Sequence, residues 1–539
     1  MTPADSPRRV LGLAFSAAVI LCTVLAFYSS DHITLRQCVA RPITTQTAQE
    51  LPAFRETLEY FIDYPIRSPF KDGFGELGRR SRVLRDWLVM ADNMPKTAPT
   101  RAVLEEASEE VALSLFPFLA NYKSPWKGRT IGRRTPVSDI RASFSDSSAG
   151  IVIPAGDKNA LFAAHLIGSL RTVLKSTLPI QIAYAGDADL SKANRNLLAG
   201  VVNDSLPIEF LDVSTVFQQD NDDITKIYKA EGGEPTKEGE EKPLKRESLH
   251  APFFRFLDRS SGGGWAFKSF AALATRFEKV ILLDADAVFV QPPESLLAQE
   301  DFNRTGALLF HDRLLWKNAF PARHEWWHDQ IRRPSAELSK SLVWSEQYAE
   351  EGDSGVVVLD KGRVDVLVGL LHTCWQNTYA VRQEVTYKIL YGDKESWWMG
   401  LELAGSSYTM EEHYGAMVGW ATTDPIKEDE SGGTNGTDSK TVENPKPTKV
   451  CSFVIAHMDK SKRLLWYNGS LRKNKAHLND VEYEVPRQWM LDGDWEKGAQ
   501  KMDMSCMRGA PIHDLTTEEV AILQRSIDLA QMVDLAFTS

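Results

Sequence analysis

The stretch Val280-Ile-Leu-Leu-Asp-Ala-Asp-Ala-Val-Phe-Val290 decides the fold, because a uniformly apolar run ends in two carboxylates, Asp284 and Asp286, one residue apart. Val280 to Leu283 has the composition of a strand covered on both faces of an α/β sheet. Ligands of open α/β sheets gather outside the carboxyl ends of such strands, so the aspartates stand where a substrate would lie. If strand geometry continues to Asp286, residues i and i+2 point to one side. Both carboxylates can then serve one hard divalent cation that also takes phosphate oxygens from its substrate. The alternative is an Asp-rich turn that holds no ligand.

The surrounding sequence supports an α/β layer. Gly150-Ile-Val-Ile-Pro-Ala-Gly156 reads as a short strand, Asn159 to Lys175 as a helix, and Ile180-Gln-Ile-Ala-Tyr184 as a second strand. This βαβ opening puts the loop Pro154 to Asp157 at a strand's carboxyl edge, where a base or ribose could lie. Its glycines lack the Gly-x-Gly-x-x-Gly dinucleotide fingerprint. Upstream, Thr45 to Ile62, Arg79 to Ala91 and Arg101 to Leu119 carry apolar residues at helical spacing, and Tyr122 to Ser148 reads as a connector. Two tracts, 229–247 and 424–448, are too poor in apolar residues to offset ordering and are expected as mobile surface insertions. Thr516-x-x-Glu519 is a capping box opening a helix to Phe537.

Val10 to Tyr28 is free of charge and long enough to cross a bilayer, with Arg8 and Arg9 before it. This predicts a type II signal anchor with a cytosolic tail of residues 1–9 and everything after Tyr28 lumenal; a cleaved signal peptide is the alternative. Asn-x-Ser/Thr sequons at Asn203, Asn303, Asn435 and Asn468 suit that compartment. So do Cys38, Cys374, Cys451 and Cys506, an even set with three possible pairings, free buried thiols being the alternative. A formal net charge of -11 argues against nucleic acid as a partner.

Further segments extend the constellation in chain order: Gly262-Gly-Gly-Trp-Ala-Phe-Lys268, His311-Asp-Arg313, Arg323-His-Glu-Trp-Trp327, Asp353-Ser-Gly-Val-Val-Val, Gly392-Asp-Lys-Glu-Ser-Trp-Trp398, Ile455-Ala-His-Met-Asp459 and Leu464-Leu-Trp-Tyr-Asn-Gly469. With Ile151-Val-Ile-Pro, Ala163-Ala-His-Leu-Ile167 and Leu178 to Gly186, these strings resemble the fungal Golgi α-1,3-mannosyltransferases, type II membrane glycosyltransferases with a DxD motif. The likeness runs from about Ile151 to Ser470. It implies an α/β GT-A catalytic domain, Rossmann-like, over residues 146–539, with the anchor at 10–28 and a helical stem and accessory region over 29–145. It also implies residence in the Golgi membrane, with the catalytic domain lumenal.

The implied activity is a retaining α-mannosyl transfer, α-1,3 in linkage, from GDP-mannose to a mannose-containing glycan, with Mn2+ or Mg2+ on the diphosphate. Asp284 and Asp286 would hold the ion, and by similarity to related GT-A enzymes His457 would be its third protein ligand. Lys268 would be a charge near the donor phosphates, or a solvated lysine at a helix start. Ser354 and Gly355 would let backbone approach the sugar, or form a plain turn. Asp393 and Glu395 would meet the sugar at the reacting carbon, or cap the next helix. Trp326-Trp327 and Trp397-Trp398 could stack on acceptor sugars, core packing being the default. Asp312 and Arg313 could pair with each other. Two other classes fit parts of the pattern: a haloacid-dehalogenase-like phosphatase, with Asp284 as nucleophile, and a non-catalytic scaffold of the same fold.

Overall fold

In the computed structural model, which describes residues 51–126, 135–144, 148–201, 206–217, 263–423, 447–476, 481–500 and 503–538, the strands are short and bounded by turns. In chain order they begin β1 (Ala149–Pro154), β2 (Ile180–Tyr184), β3 (Ile208–Asp212), β4 (Lys279–Leu283), β5 (Ala287–Phe289), β6 (Ala307–His311), β7 (Gly352–Asp360) and β8 (Thr409–Met410). They continue β9 (Met417–Thr422), β10 (Lys449–Ser452), β11 (Ile455–Met458), β12 (Leu464–Asn468), β13 (Gln488–Met490), β14 (Asp494–Glu496), β15 (Ser505–Arg508) and β16 (His513–Asp514).

The central sheet has seven strands in the order β3-β2-β1-β4-β7-β6-β8. β3, β2, β1 and β4 are mutually parallel, whereas β7 runs antiparallel to both β4 and β6. From β1 the chain passes to β2 on one side, and β4 lies on the other, so the strand order reverses between β1 and β4. Such a switch point opens a crevice at the carboxyl ends of the strands. Alternation along the strands feeds two cores: Val152, Val280, Leu282, Val357 and Leu359 enter one, and Ile151, Ile153, Ile281, Leu283, Val356 and Val358 enter the other. A three-stranded sheet, β11-β12-β5, and a six-stranded one, β14-β15-β10-β9-β13-β16, carry the second half of the chain.

Helices cover the sheet: α1 (Leu51–Asp63), α2 (Phe74–Asp92), α3 (Pro99–Leu115), α4 (Ala160–Gly168), α5 (Gly263–Ala274), α6 (Val364–Gln376), α7 (Lys394–Ala404) and α8 (Thr517–Thr538). The upstream helices are not a detached stalk, because Phe61, Phe74, Leu84 and Leu104 share one core with Val280 and Leu371. A Cβ at Gly78 would lie 2.7 Å from the Leu403 carbonyl oxygen, so only glycine admits α2 this close to α7. Arg82 and Arg85 donate to the carbonyls of Glu402, Leu403, Ala404 and Gly405, supplying positive charge at the negative end of α7.

The sequence-predicted helices shift by a few residues, and the connector contains a short helix, Pro136–Ser143, whose first N–H groups, Val137 and Ser138, donate to Glu109. The predicted helix over Asn159 to Lys175 is α4 followed by a π-helical segment, Ser169–Val173. The capping box forms, with Glu519 N donating to Thr516 Oγ1 at 3.2 Å and Thr516 N to Glu519 Oε2 at 2.8 Å. Cys451 and Cys506 are disulfide-bonded across β10 and β15, Cys374 is a buried free thiol, and Cys38 lies outside the described residues. The anchor at 10–28 and the tract 229–247 also lie outside them, as does all of 424–448 but its last two residues. Among the described residues no helix is long and apolar enough to cross a membrane.

His372 on α6 sits fully inside this helical layer, with Nε2 3.4 Å from the Phe74 carbonyl oxygen and Nδ1 3.1 Å from Gln376 Nε2. Burial pulls its pKa down to about 4 from the ordinary 6.5. A lowered base is held neutral in the fold, so its contribution is complete above pH 6.5 and is lost as pH falls toward 4. The thermal midpoint should therefore drop across that window, and His372→Asn should show a shallower pH dependence there; equal slopes in both proteins would contradict the assignment.

Candidate active site

Asp284 and Asp286 do not continue β4. Ala287 N donates to the Asp284 carbonyl at 3.0 Å, and the pair occupies a turn between β4 and β5. The strand-geometry expectation is thereby corrected: a tight turn, permitted by the small Ala285, keeps the two carboxylates close enough to interact electrostatically. Asp284 N donates to the Gly355 carbonyl at 2.8 Å and Ser470 N to the Asp286 carbonyl at 2.7 Å, so β7 and the end of β12 fix the turn.

Lys268, four-hundredths exposed on α5, holds the site together. Its Nζ lies 3.0 Å from Asp284 Oδ1, 3.2 Å from Asp393 Oδ2, 2.9 Å from the Ser354 carbonyl and 2.8 Å from Ser354 Oγ. Burial alone would lower its pKa, but the two aspartates hold it above the ordinary value. Burial pushes the Asp284 carboxyl up to about 6; Lys268 opposes the shift, and Asp286 and Asp393 add to it. Asp286 is paired with Lys475, whose charge also acts on Asp284 and Asp353.

Asp353 lies beside them, buried at the start of β7. It accepts from Gly355 N at 2.8 Å, Asn468 Nδ2 at 3.1 Å and, through Oδ2, His457 Nε2 at 3.0 Å. Burial would raise its carboxyl, but His457 and the Gly355 N–H hold it well below the usual carboxylate range. The His457 ring stacks on Trp466 with centroids 4.2 Å apart, and its Nδ1 is buried with no hydrogen-bond partner.

Asp284 and Asp286 offer hard oxygens at a partly open position, their side chains 29% and 21% exposed, which suits a Mg2+ or Mn2+ that keeps most of its shell for water and phosphate. His457 Nε2 is taken by Asp353, which leaves the orphaned Nδ1 for any ion. Among the described residues no three His, Cys, Asp or Glu side chains converge as a metal-binding group.

The structure separates Asp393 from Glu395. Asp393 faces Lys268 and accepts from Trp397 Nε1 at 2.9 Å. Glu395 is fully buried on the other side of the α7 N-terminus, accepting from Glu351 N at 3.0 Å, Gly352 N at 3.2 Å and Trp398 Nε1 at 2.5 Å. Residues two apart at a helix start do not share a face, and Glu395 anchors the entry to β7. Burial pushes its carboxyl up to about 7.

Ser354 and Gly355 likewise serve Lys268 and Asp284 from within β7. Trp326, Trp327, Trp397 and Trp398 are all core residues. Asp312 does pair with Arg313, at 3.3 Å, and also with Lys394, which bridges to Glu350. Lys475 and Glu350 were not singled out from the sequence, where each resembles an ordinary solvated charge, and Asp353 and Lys394 stood in quoted strings with no role given them. Asn303 is exposed, while the Asn468 amide is committed to Asp353, so a glycan there would break the site.

Residues 148–459 match the family model described as "Mannosyltransferase putative". The alpha-1,3-mannosyltransferase MNT3 of Saccharomyces cerevisiae is 30% identical over 244 residues, 40% of this chain and 35% of that protein. The alpha-1,3-mannosyltransferase MNN1 of the same yeast is 22% identical over 397 residues, 67% of this chain and 46% of that one. The chain thus spans about half the length, or less, of the curated relatives it matches. The structure of the mannosyltransferase Ktr4p from S. cerevisiae with GDP aligns at a TM-score of 0.30 and 10% identity, covering 68% of this chain and 84% of that one.

The two acids predict opposite phenotypes. Glu395→Ala strands three donors and should cost roughly 2–4 kcal/mol, seen as a lowered thermal midpoint. Asp393→Asn keeps an acceptor for Trp397 and should move the midpoint far less. A larger loss in Asp393→Asn than in Glu395→Ala would contradict these roles.

Proposed function

The chain belongs to the mannosyltransferase family whose model its residues 148–459 match, and from that premise we propose that it is a retaining α-mannosyltransferase of GT-A type. It would transfer mannose from GDP-mannose to a mannose-containing glycan, in α-1,3 linkage. One observation carries the reading: Asp284 and Asp286 stand at the carboxyl end of β4, beside the strand-order reversal between β1 and β4, each neutralised by a lysine. A switch-point crevice lined by balanced acids and amines suits a diphosphate bound with a divalent cation.

Asp284 and Asp286 would hold Mn2+, or Mg2+, which when bound offsets the charge that builds on departing GDP. Lys475, hydrogen-bonded to Asp286 and 45% exposed along its side chain, would turn to phosphate oxygen when the donor binds. Lys268 keeps its contacts to Asp284 and Ser354 and stays paired with Asp393. Asp393 would stabilise positive charge developing at the anomeric carbon, while retention of the α configuration requires either a carboxylate nucleophile or attack by the acceptor on the face from which GDP departs. Asp353, charged and backed by His457, adds negative potential on the same side. The loop Pro154 to Asp157, closed by Gly156 N donating to Asn159 Oδ1 at 2.8 Å, borders the crevice where the base would lie.

The phosphatase alternative needs the aspartate pair to open the fold, whereas three parallel strands precede it here. The anchor at 10–28 and the sequons support residence in the Golgi membrane with this domain lumenal. The helical region up to residue 145 would brace the catalytic domain from residue 146 on through the core they share.

With manganese, GDP-mannose should raise the thermal midpoint and act as donor, and UDP-sugars should do neither. Asp286→Ala should lower transfer at least about a hundred-fold, and a chelator should do the same to the unsubstituted protein. Wild-type rates in the variant, or indifference to chelation, would sink the metal assignment.

A further inference from the structure

Exposed aromatic rings gather at one place beside the site. Trp265 is 46% exposed and Tyr391 61% exposed, with ring centroids 5.6 Å apart and planes inclined at 41°. Tyr387 backs the indole at 6.3 Å and is itself fixed by its hydroxyl donating to Asn377 Oδ1 at 2.9 Å. The indole lies on the backbone of Gly392: a Cβ there would come within 2.8 Å of it, and the φ of +67° is one that side chains rarely adopt. The platform is therefore built, not a chance exposure of single side chains.

Its position is set by the site. Trp265 is one helical turn before Lys268 on α5, so the two share a face. Tyr391 and Gly392 directly precede Asp393. The aromatic pair and the carboxylate cluster thus meet at the Lys268–Asp393 ion pair. Polar groups border the pair: Lys394 Nζ lies 5.2 Å from the Tyr391 ring centroid and is bonded to Asp312 and Glu350. Flat apolar faces with a rim of charged donors and acceptors match a pyranose, which shows C–H groups on one face and hydroxyls around its edge.

We propose that Trp265 and Tyr391 form the acceptor subsite, stacking on the terminal pyranose of a mannose-containing glycan while Lys394 and Glu350 meet its hydroxyls. This rests on the mannosyl-transfer reading for the identity of the sugar. The occupant is the acceptor because the diphosphate end of the donor belongs with Asp284 and Asp286, whereas the rings adjoin Asp393, the acid on the sugar side. The buried Trp326, Trp327, Trp397 and Trp398 cannot take this part.

The test compares the full chain with Trp265→Ala, Tyr391→Ala and Trp265→Phe by calorimetric titration with mannobiose, and separately with GDP-mannose plus manganese. Each alanine variant should weaken mannobiose binding at least about ten-fold, with Trp265→Phe recovering most of it, while the Kd for GDP-mannose stays within about two-fold. Mannobiose binding unchanged in both alanine variants, or absent from the unsubstituted protein, overturns the subsite. So does a parallel loss of both ligands with a fallen thermal midpoint, which would mean the rings only pack against the chain's own segments. If mannobiose binds and the alanine variants lose it while no GDP-mannose is turned over, the subsite stands and the transfer reading falls.

Discussion

The structure depends on one buried ammonium. Lys268 is neutralised by Asp284 and Asp393 and donates to both oxygens of Ser354, so α5, the β4 turn, β7 and the start of α7 converge on a single atom. An unpaired charge at that depth would cost several kcal/mol, which is why the ammonium is met by two carboxylates and two further oxygens. Three residues that the chain scatters over more than a hundred positions are held in one crevice by this requirement, and the apolar strands around it supply the rigidity that keeps the charges from finding water.

The same logic extends outward in pairs. Lys475 neutralises Asp286, Lys394 neutralises Asp312 and Glu350, and His457 supports Asp353. Each acid of the crevice has a cationic or hydrogen-bonding counterpart, which is how a strongly acidic pocket stays folded before a substrate brings its own counter-ions. The helices upstream matter for this reason. By packing α2 against α7 through Gly78 and its two arginines, they brace the helix whose first turn positions Asp393.

Much of this was legible in the sequence, for physical reasons that can be named. Buried parallel strands must be uniformly apolar, so β1, β2 and β4 stood out, and the aspartate pair marked the end of β4. The capping box before α8 carries its own geometry. What was illegible required knowledge of where a turn or helix begins. Asp284 and Asp286 close a turn, which alternation along a strand cannot foresee. Placing the α7 start at Lys394 would have shown that Asp393 and Glu395 face apart, and that Trp397 and Trp398, three and four residues on, each serve one of them as hydrogen-bond donors. Asp353, Lys475 and the exposed pair Trp265 and Tyr391 gain meaning only from contacts across the sheet, and nothing local distinguishes them.

The central claim is α-mannosyl transfer from GDP-mannose at the Lys268-centred crevice, and the anomeric NMR signal of the product reports on it most directly. With manganese, GDP-mannose labelled with carbon-13 in the sugar and mannobiose as acceptor, the account predicts a new α-anomeric mannose resonance growing in step with GDP. A β-anomeric product, or labelled donor left unchanged under conditions where it binds, would contradict it.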